Sequence, residues 1–529
     1  MPQPARATVR IALPVVLAVL ACVACSPDEP PTPADSRTPS ASPSAMTAGT
    51  DPVTAEVVLK GDRVTLEVGP VVVTDDIGML RIAGPKDASL QTGLWDVFVS
   101  LSPGANGVRL VDLTEGTVSL PARTESDAVF ASWVMSVGGP ATDTAAQAAG
   151  EQTEVLYVAF AAPSTSTVDV LLPGGRGLVE GVPVADAGDA GVLTIPTSEI
   201  REDPVATAPV VRLDSYTEQV GGQVRTRTTS QTVTVAIGSD VLFGVDSADL
   251  GAQADAALTA AAQQVRAYEG GALAVVGHTD DVADDAYNQG LSERRAQAVA
   301  TRLGELADLA GFDVSVQGRG ESEPTATGTS DEARAANRRV ELVLTTEQDE
   351  VAEVTEPPAG ALPETTGPTA AGQGAVTIDS GNNVPVDVRV REVRRVGRYL
   401  VGSLEVSNTA GAAKADGTPF STGAWDARGS FDAGLQQAAT NVTLLRGDLR
   451  LYPVDYLTGE DRRDPLADRV IDGPEPGSSI LVTVLWPDPG TDTVVVDAPT
   501  RSKQITQSAA VDMGVQPFRI TDVPVTEGR

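Results

Sequence analysis

Asp280 and Arg295 carry charged side chains whose types and placement suit ligand binding. Asp280 follows a short apolar run, Ala272 to Val276, and Arg295 lies further along in a helical pattern that opens at Tyr287. A carboxylate accepts hydrogen bonds from a cationic group, and a guanidinium can bind a carboxylate through two parallel hydrogen bonds. No nucleophile paired with a general acid or base is evident around them, so the pattern indicates a binding site and not an active site.

Histidine and cysteine are too scarce for the common catalytic and metal sites. His278 is the only histidine, and both cysteines, Cys22 and Cys25, lie near the N-terminus. A serine-histidine triad, or a zinc site with several histidines, would have to be built from that one residue. The aspartates between Asp280 and Asp285 lack the regular spacing and the glycine of an EF-hand calcium loop. We therefore predict a protein that is not an enzyme, with no cofactor, no catalytic residue and no metal site.

The elements that must position Asp280 and Arg295 alternate between strand and helix patterns. Residues 232–237, 272–276 and 314–317 are predicted strands, and a closing strand follows near residue 340. Apolar residues at three- and four-residue steps predict two helices. They are Leu258, Ala261, Ala262 and Val265 in the first helix, and Ala296, Val299, Leu303 and Leu306 in the second. Ser247 or Asp249 is placed to cap the first helix. Residues 231–347 are thus predicted to form an α+β domain of the order βαβαβ with a final strand.

Four separated motifs in this domain occur in one order along the chain. They read VLFGVDSADL at residues 241–250, TD followed by YNQGLSERRA at residues 279–296, GRGESEP at residues 318–324 and NRRVEL at residues 337–342. Together they resemble the OmpA C-terminal-like domain, the module shared by OmpA, Pal lipoproteins and the MotB subunits of flagellar stators. The resemblance covers about a fifth of the chain, and it implies a peptidoglycan-binding domain.

The resemblance also implies the ligand, which is the stem peptide of peptidoglycan, held at diaminopimelate. The free end of diaminopimelate carries an ammonium and a carboxylate on one carbon. Asp280 would accept hydrogen bonds from the ammonium, and Arg295 would bind the carboxylate in a bidentate manner. The other residues placed at the site are Thr279, Asn288, Leu291, Arg338 and Arg339. Asn288 would hold the loop, and one of the last two arginines would face the ligand while the other faces Glu341 or solvent.

Two simpler interpretations of the central pair stay open on sequence alone. Asp280 could cap a turn in a loop that is rich in aspartate, and Arg295 could be a surface residue of its helix, like Arg294. His278 is interpreted as a residue that packs or shapes the loop.

The N-terminus has the features of an export signal. Arg6 and Arg10 precede an apolar run at residues 11–21, which is too short to span a bilayer as a stable helix. Residues 1–25 resemble a lipoprotein signal peptide, and either Cys25 or Cys22 would carry the lipid; a plain secretory signal is the alternative. Residues 26–50, rich in Pro, Ser and Thr, are predicted to be a flexible linker.

The rest of the chain is patterned as strands. Residues 51–200 and 375–529 alternate in short β-prone segments, which predicts two all-β, sandwich-like domains that flank the central domain. Residues 201–230 are interpreted as a connector and residues 348–374 as a second flexible linker. The pattern P-x-T-x-T-V-x-V-x-x-P occurs at residues 163–173 and 489–499, and residues 108–110 parallel residues 449–451. We infer that the two β domains are copies of one another.

Charge and domain order together lead to a functional hypothesis. The formal net charge of -34 disfavours nucleic acid and anionic lipid as partners, because a negative field repels phosphate. The sequence predicts an exported protein of the cell envelope that is anchored to the membrane by lipid and binds peptidoglycan noncovalently, so that it tethers membrane to wall. The alternative is a cell-surface adhesin or receptor whose β domains bind a protein or glycan, while the central domain only localises them.

Overall fold

The computed structural model describes most of the chain beyond the N-terminal segment. The described residues are 50–59, 62–85, 90, 94, 106–131, 153–174, 176–188, 203–221, 223–326, 328–345, 360–380, 382–409, 413–415, 420, 438–458, 463–468, 473–499 and 517–528. The predicted signal peptide with Cys22 and Cys25 lies outside these residues, as do most of the first linker and the first part of the second. Within the described part, no helix is long and apolar enough to cross a membrane.

The first β region is one nine-stranded sheet with a short separate ladder. The region contains β1 (Val53–Leu59), β2 (Asp62–Thr74), β3 (Ile77–Pro85), β4 (Arg109–Asp112), β5 (Thr117–Ser119), β6 (Arg123–Thr124), β7 (Thr153–Ala161), β8 (Thr167–Leu171) and β9 (Leu178–Asp186). Strand β6 belongs to the separate ladder, and the ninth strand of the sheet comes from residues 210–212. Leu66, Leu80, Leu156 and Phe160 are fully buried in its core. Apolar residues alternate with polar ones along these strands, and this alternation predicts a strand-rich region from the sequence.

The residues predicted as a connector form strands as well. They are β10 (Val205–Thr207), β11 (Val210–Arg212), β12 (Ser215–Gln219) and β13 (Val224–Thr228). Strand β11 pairs with β5 of the first β region, and β12 pairs with β13 and with a strand of the second β region. Most of their side chains are half-exposed or exposed, so the apolar alternation that marks a strand is absent from the sequence.

The central domain contains four helices and four strands in the described part of the chain. They are β14 (Thr232–Gly238), α1 (Ser239–Leu242), α2 (Ala254–Arg266), β15 (Gly271–Gly277), α3 (Asp285–Leu306), β16 (Phe312–Gly318), α4 (Asp331–Asn337) and β17 (Arg339–Thr345). The strands lie side by side in the order β16-β15-β17-β14. Strands β15 and β16 are parallel, whereas β17 is antiparallel to β15 and β14. The predicted apolar faces of α2 and α3 pack on this sheet, with Leu306 at the margin of the core.

The capping prediction for the first long helix was wrong. Helix α2 begins at Ala254, its N-cap is Gln253, and no side chain caps it. The Ser247 hydroxyl instead accepts a hydrogen bond from the backbone N–H of Asp249, at 2.9 Å, in the preceding turn. Phe243 and Leu250 form an isolated backbone bridge that closes this turn before the helix begins. The helix therefore starts after Ser247 and Asp249, the two residues that were predicted to cap it.

The second β region contains the remaining strands. They are β18 (Thr369–Ala371), β19 (Ala375–Asp379), β20 (Pro385–Val396), β21 (Tyr399–Ser407), β22 (Thr443–Arg446), β23 (Leu449–Leu451), β24 (Asp455–Leu457), β25 (Arg463–Pro465), β26 (Ser479–Pro487), β27 (Thr493–Ala498) and β28 (Phe518–Glu527). Strand β18 lies in the predicted second linker and pairs with β28. Trp486 is fully buried, and its Nε1 donates to the backbone oxygen of Val442 at 2.8 Å, so this tryptophan belongs to the core.

The two β regions repeat one topology in the same chain order. In the first, β1 pairs with β2, β2 with β3 and β3 with β7; β9 pairs in parallel with β2, and β8, β4 and β5 follow in series. In the second, the equivalent places are taken, in the order just given, by β19, β20, β21, β26, β28, β27, β22 and β23. Strand β20 is again parallel to β28. Val182-Pro183-Val184 and Val523-Pro524-Val525 stand at equivalent positions. Both regions are strand-rich, and their sandwich arrangement stays a prediction.

One part of the repeat was aligned wrongly from sequence. Pairing with the equivalent strands β8 and β27 places Arg109 opposite Leu171, and Thr443 opposite Asp497. Arg109 is therefore equivalent to Thr443, and Arg450 stands one strand further along, in β23. A three-residue match carries too little information to fix the register between two strands.

The central domain and both β regions are joined by pairing and packing. The sheet of the central domain continues through β13 and β12 into β23, so it has 15 strands in all. A further core, with Val111 and Leu171 from the first β region and Tyr399, Tyr456 and Leu485 from the second, is shared by the two copies. The segments that separate the predicted domains thus contribute strands to the sheets.

Candidate functional site

Strand β15 and helix α3 place Asp280 and Arg295 at one end of the central sheet. β15 ends at Gly277, and His278, Thr279 and Asp280 follow it directly. Helix α3 begins at Asp285, because Asp284 caps it by accepting a hydrogen bond from the backbone N–H of Tyr287 at 2.9 Å. Strand and helix approach closely: a Cβ atom on Gly277 would lie 2.2 Å from the backbone oxygen of Ser292.

Asp280 is already paired with a cation. Its Oδ2 lies 2.8 Å from Nη1 of Arg338, and its side chain is 15% exposed. Arg338 also donates two hydrogen bonds to Asp240, at 3.2 and 2.8 Å, so it bridges the two carboxylates. These hydrogen bonds, first those to Asp240, raise the pKa of the Arg338 guanidinium. The contact between Asp280 Oδ1 and the backbone N–H of Val282 is long, at 3.4 Å, so turn capping is a minor role.

Arg295 is a buried cation that forms one hydrogen bond, through Nε, among the described residues. The residue is 5% exposed, which contradicts the simpler interpretation of a surface arginine. Its Nε donates to the backbone oxygen of Ser247 at 2.9 Å, and its Cζ lies 5.2 Å from the centre of the Phe243 ring. Within the described residues its Nη atoms make no hydrogen bond and it has no ion pair. Burial lowers the pKa of the guanidinium, and the carboxylates of Asp240 and Asp246 act in the opposite direction.

Asn288 ties the loop after β15 to helix α3. Its Nδ2 donates to the backbone oxygens of Asp280 and Ala283, at 3.2 and 3.3 Å, and to Oε2 of Glu321 at 2.7 Å. Its buried position lets one amide hold both ends of the aspartate-rich loop. Asp280 is therefore presented by a fixed backbone.

Thr279 and Leu291 lie on the buried side of the site. The backbone N–H of Thr279 donates to the oxygen of Gly320 at 2.8 Å. Its hydroxyl is buried and has no hydrogen-bond partner within the described residues. Leu291 is 5% exposed and follows Asn288 by one helical turn.

Arg339 points away from Asp280 and supports the sheet. Its Nε lies 2.6 Å from Oε1 of Glu341, and its Nη2 donates to the oxygen of Glu323 at 3.3 Å. His278 is 1% exposed, and its Nε2 lies 3.7 Å from Oε2 of Glu341, which is an ion-pair distance and too long for a hydrogen bond. Of the two predicted arginines, Arg338 is the one that contacts Asp280.

Glu341 should make folding stability depend on acid pH. Burial acts to raise the pKa of this carboxyl, but His278 and Arg339 outweigh it and lower the pKa from 4.5 to about 2. A lowered pKa stabilises the folded state above the unfolded value, and this stability is lost as pH falls through the folded value. We therefore expect the stability that Glu341 contributes above pH 4.5 to be lost as pH falls toward 2.

Denaturant unfolding of the wild type and of Glu341→Gln as a function of pH measures this contribution. The variant should be less stable at pH 6, and the difference between the two proteins should shrink toward pH 2. A difference that stays constant across this range would contradict the prediction. Arg319→Gln, which removes an exposed arginine, serves as a control.

Sequence reasoning missed Asp240 and Phe243 as residues of the site. Asp240 holds Arg338 in place, and the ring of Phe243 lies under the guanidinium of Arg295. Both stand in or beside the motif at residues 241–250, so the motif itself was the available signal. Among the residues that the structure describes, no group of three or more His, Cys, Asp or Glu is arranged to hold a metal ion.

Comparison with known proteins places this site in a family. Residues 242–338 match the profile of the OmpA family. Outer membrane porin F of Pseudomonas aeruginosa is 40% identical over 113 residues, covering 21% of this chain and 32% of that protein. Outer-membrane lipoprotein YfiB of the same organism is 37% identical over 109 residues, covering 21% and 64%. The chain thus spans between a third and two thirds of the length of these relatives.

Solved structures also match part of this chain, among them the following two. The cell wall anchor of the T6SS from Pseudomonas aeruginosa is 35% identical, with a TM-score of 0.22, and the match covers 24% of this chain and 90% of that one. The peptidoglycan-associated lipoprotein from Burkholderia pseudomallei is 27% identical, with a TM-score of 0.17, and the match covers 21% and 88%.

Proposed function

Because residues 242–338 form an OmpA-family domain, we propose that this domain binds peptidoglycan noncovalently in the cell envelope. The protein would be exported, anchored to the membrane through lipid on Cys25 or Cys22, and tethered to the wall through the central domain. A flexible linker at residues 26–50 would let the folded part stand away from the membrane. A protein or glycan partner of the β regions would extend this role.

The observation that supports the proposal most directly is the state of Arg295. Burying a cation without a counter-ion is costly, so a buried guanidinium with free Nη atoms favours the entry of an anion. Within the described residues no carboxylate forms an ion pair with it. The carboxylate of a ligand would supply the missing partner, and its two oxygens could accept hydrogen bonds from both Nη atoms.

Asp280 supplies the complementary charge. The ammonium of diaminopimelate would bind its carboxylate, on which Arg338 already makes one hydrogen bond. Because Asp240 holds Arg338 by two further hydrogen bonds, Arg338 can stay in place when the ligand binds. Thr279 offers an unpaired hydroxyl and Leu291 an apolar contact at the same place.

Replacing Asp280 with alanine tests the assignment. A charge-assisted hydrogen bond contributes about 1.5–3 kcal/mol, so the variant should bind diaminopimelate-containing peptidoglycan about tenfold to a hundredfold more weakly. Co-sedimentation of the purified protein with isolated sacculi measures the change. The fold should survive, because Arg338 keeps its pairing with Asp240.

Asp281→Ala is the matched control. Asp281 is the neighbouring residue, and its exposed carboxylate pairs with Arg334. This variant should bind sacculi as the wild type does. Full wall binding by Asp280→Ala, or equal losses in both variants, would contradict the role proposed for Asp280.

A further inference from the structure

A large groove lies between the central domain and the second β region, away from the contacts of Asp280 and Arg295. Its volume is about 800 Å³, which is within the range of ligand sites. Strands β12 and β13 provide its floor, and helix α2 provides one wall. The floor side chains are Ser215, Thr217, Gln219, Val224, Thr226 and Thr228.

Most side chains that line the groove are uncharged, and they combine hydroxyl and amide groups with small apolar residues. Helix α2 contributes Thr259, Gln263 and Gln264 along with small alanines, and Tyr399 lies on the side of the second β region. Hydroxyl and amide side chains both donate and accept hydrogen bonds. They match a ligand whose own groups are hydroxyls and amides better than a charged or a purely apolar ligand.

The charged residues of the groove are already engaged. Asp448 accepts hydrogen bonds from Gln219, at 2.9 Å, and from the backbone N–H of Gly360, at 2.6 Å. Asp488 pairs with Arg395 at 2.6 Å, and Arg398 donates to the Tyr399 hydroxyl at 3.1 Å. A strongly charged ligand would therefore find no unsatisfied counter-ion among these groups.

The groove adjoins the site of Asp280 and Arg295 through helix α1. Val241 lines the groove, whereas the preceding residue, Asp240, pairs with Arg338 at the site. Residues 240 and 241 are consecutive, so the groove and the site share one short helix. A ligand polymer whose peptide branch enters the site could place its main chain in the groove.

We propose that this groove binds the glycan strand of peptidoglycan, a neutral chain rich in hydroxyl and acetamido groups. The proposal rests on the proposed function, because the same polymer would present its stem peptide to Asp280 and Arg295. The central domain and the second β region then act together as one wall-binding surface. Strands β12 and β13, which join them, form its floor.

Thr259→Trp tests the groove. Thr259 is exposed on α2, so the larger side chain should fill the groove while the helix stays intact. Two ligands are compared by calorimetry: an uncharged, peptide-free glycan chain of β-1,4-linked N-acetylglucosamine, and a soluble diaminopimelate-containing stem peptide. The variant should bind the glycan chains at least about tenfold more weakly, because several hydrogen bonds are lost. Binding of the stem peptide should be unchanged, which also reports correct folding.

The controls separate the two proposals. Thr301→Trp places the same change on an exposed position of α3 outside the groove and should bind both ligands normally. Asp280→Ala should lose the stem peptide and keep the glycan chains. Failure of the wild type to bind peptide-free glycan, equal binding of dextran, or normal glycan binding by Thr259→Trp would each overturn the groove assignment. Loss of stem-peptide binding alone concerns only Asp280.

Discussion

Arg295→Ala is expected to lower the affinity for diaminopimelate-containing peptidoglycan by at least about a hundredfold. A bidentate pair of charge-assisted hydrogen bonds contributes about 3 kcal/mol or more, and each 1.4 kcal/mol changes the affinity tenfold. Arg295→Lys should recover little of this affinity, because an ammonium cannot bind a carboxylate in the same bidentate manner. Calorimetric titration with a soluble stem peptide measures both variants.

The Arg295→Ala substitution should change the free energy of unfolding much less than it changes the affinity for peptidoglycan. Arg295 has no ion pair in the described part of the chain, so alanine removes a buried cation that no carboxylate contacts directly there. The losses are one hydrogen bond to Ser247 and the contact with the Phe243 ring. We expect the free energy of unfolding to change by about 1 kcal/mol or less. A large loss of stability would show that Arg295 is a structural residue.

Two controls isolate the guanidinium as the binding group. Arg294→Ala removes an exposed arginine from the same helix and should leave the affinity unchanged. Walls that contain lysine or ornithine in place of diaminopimelate lack the carboxylate for Arg295, so the wild type should bind them weakly. Tight binding to such walls would mean that the protein holds its ligand in another way.

Gly277→Ala is expected to destabilise the protein by roughly 3 kcal/mol, at the upper end of overpacking costs. The new Cβ would lie 2.2 Å from the backbone oxygen of Ser292, and backbone atoms cannot move aside as a flexible side chain can. Helix α3 would have to shift away from β15. Since Arg295 lies on α3 and Asp280 follows β15, the shift should also weaken stem-peptide binding. Thermal unfolding and titration of the same sample measure both effects.

Gly304→Ala is the matched control for this change. Gly304 lies near the end of the same helix, and the nearest atom to its added Cβ is 3.9 Å away. Alanine forms helix better than glycine by about 1 kcal/mol, so this variant should be slightly more stable than the wild type. Unchanged stability in Gly277→Ala would show that α3 and β15 can separate without cost.

Much of the central domain could be predicted from sequence because its signals are local. The apolar steps of α2 and α3, the strand at β15 and the ordered motifs each depend on residues near one another in the chain. The same holds for the repeated pattern at residues 163–173 and 489–499, which occupies the equivalent strands β8 and β27. Asp280, Arg295 and the domain that carries them were therefore accessible without coordinates.

Tertiary structure decided which charges meet and which segments pair. Arg338 could have faced ligand or solvent, and only folding places it between Asp240 and Asp280. Strands β12 and β13 lack apolar alternation, and their partners lie far away in sequence: β12 pairs with β23, at residues 449–451. Backbone hydrogen bonds between distant strands produce no periodic pattern of residue types in the sequence. For this reason the sequence determined the OmpA-like domain and the elements that carry Asp280 and Arg295, whereas the fold alone determined the joint sheet, the groove and the burial of the Arg295 guanidinium.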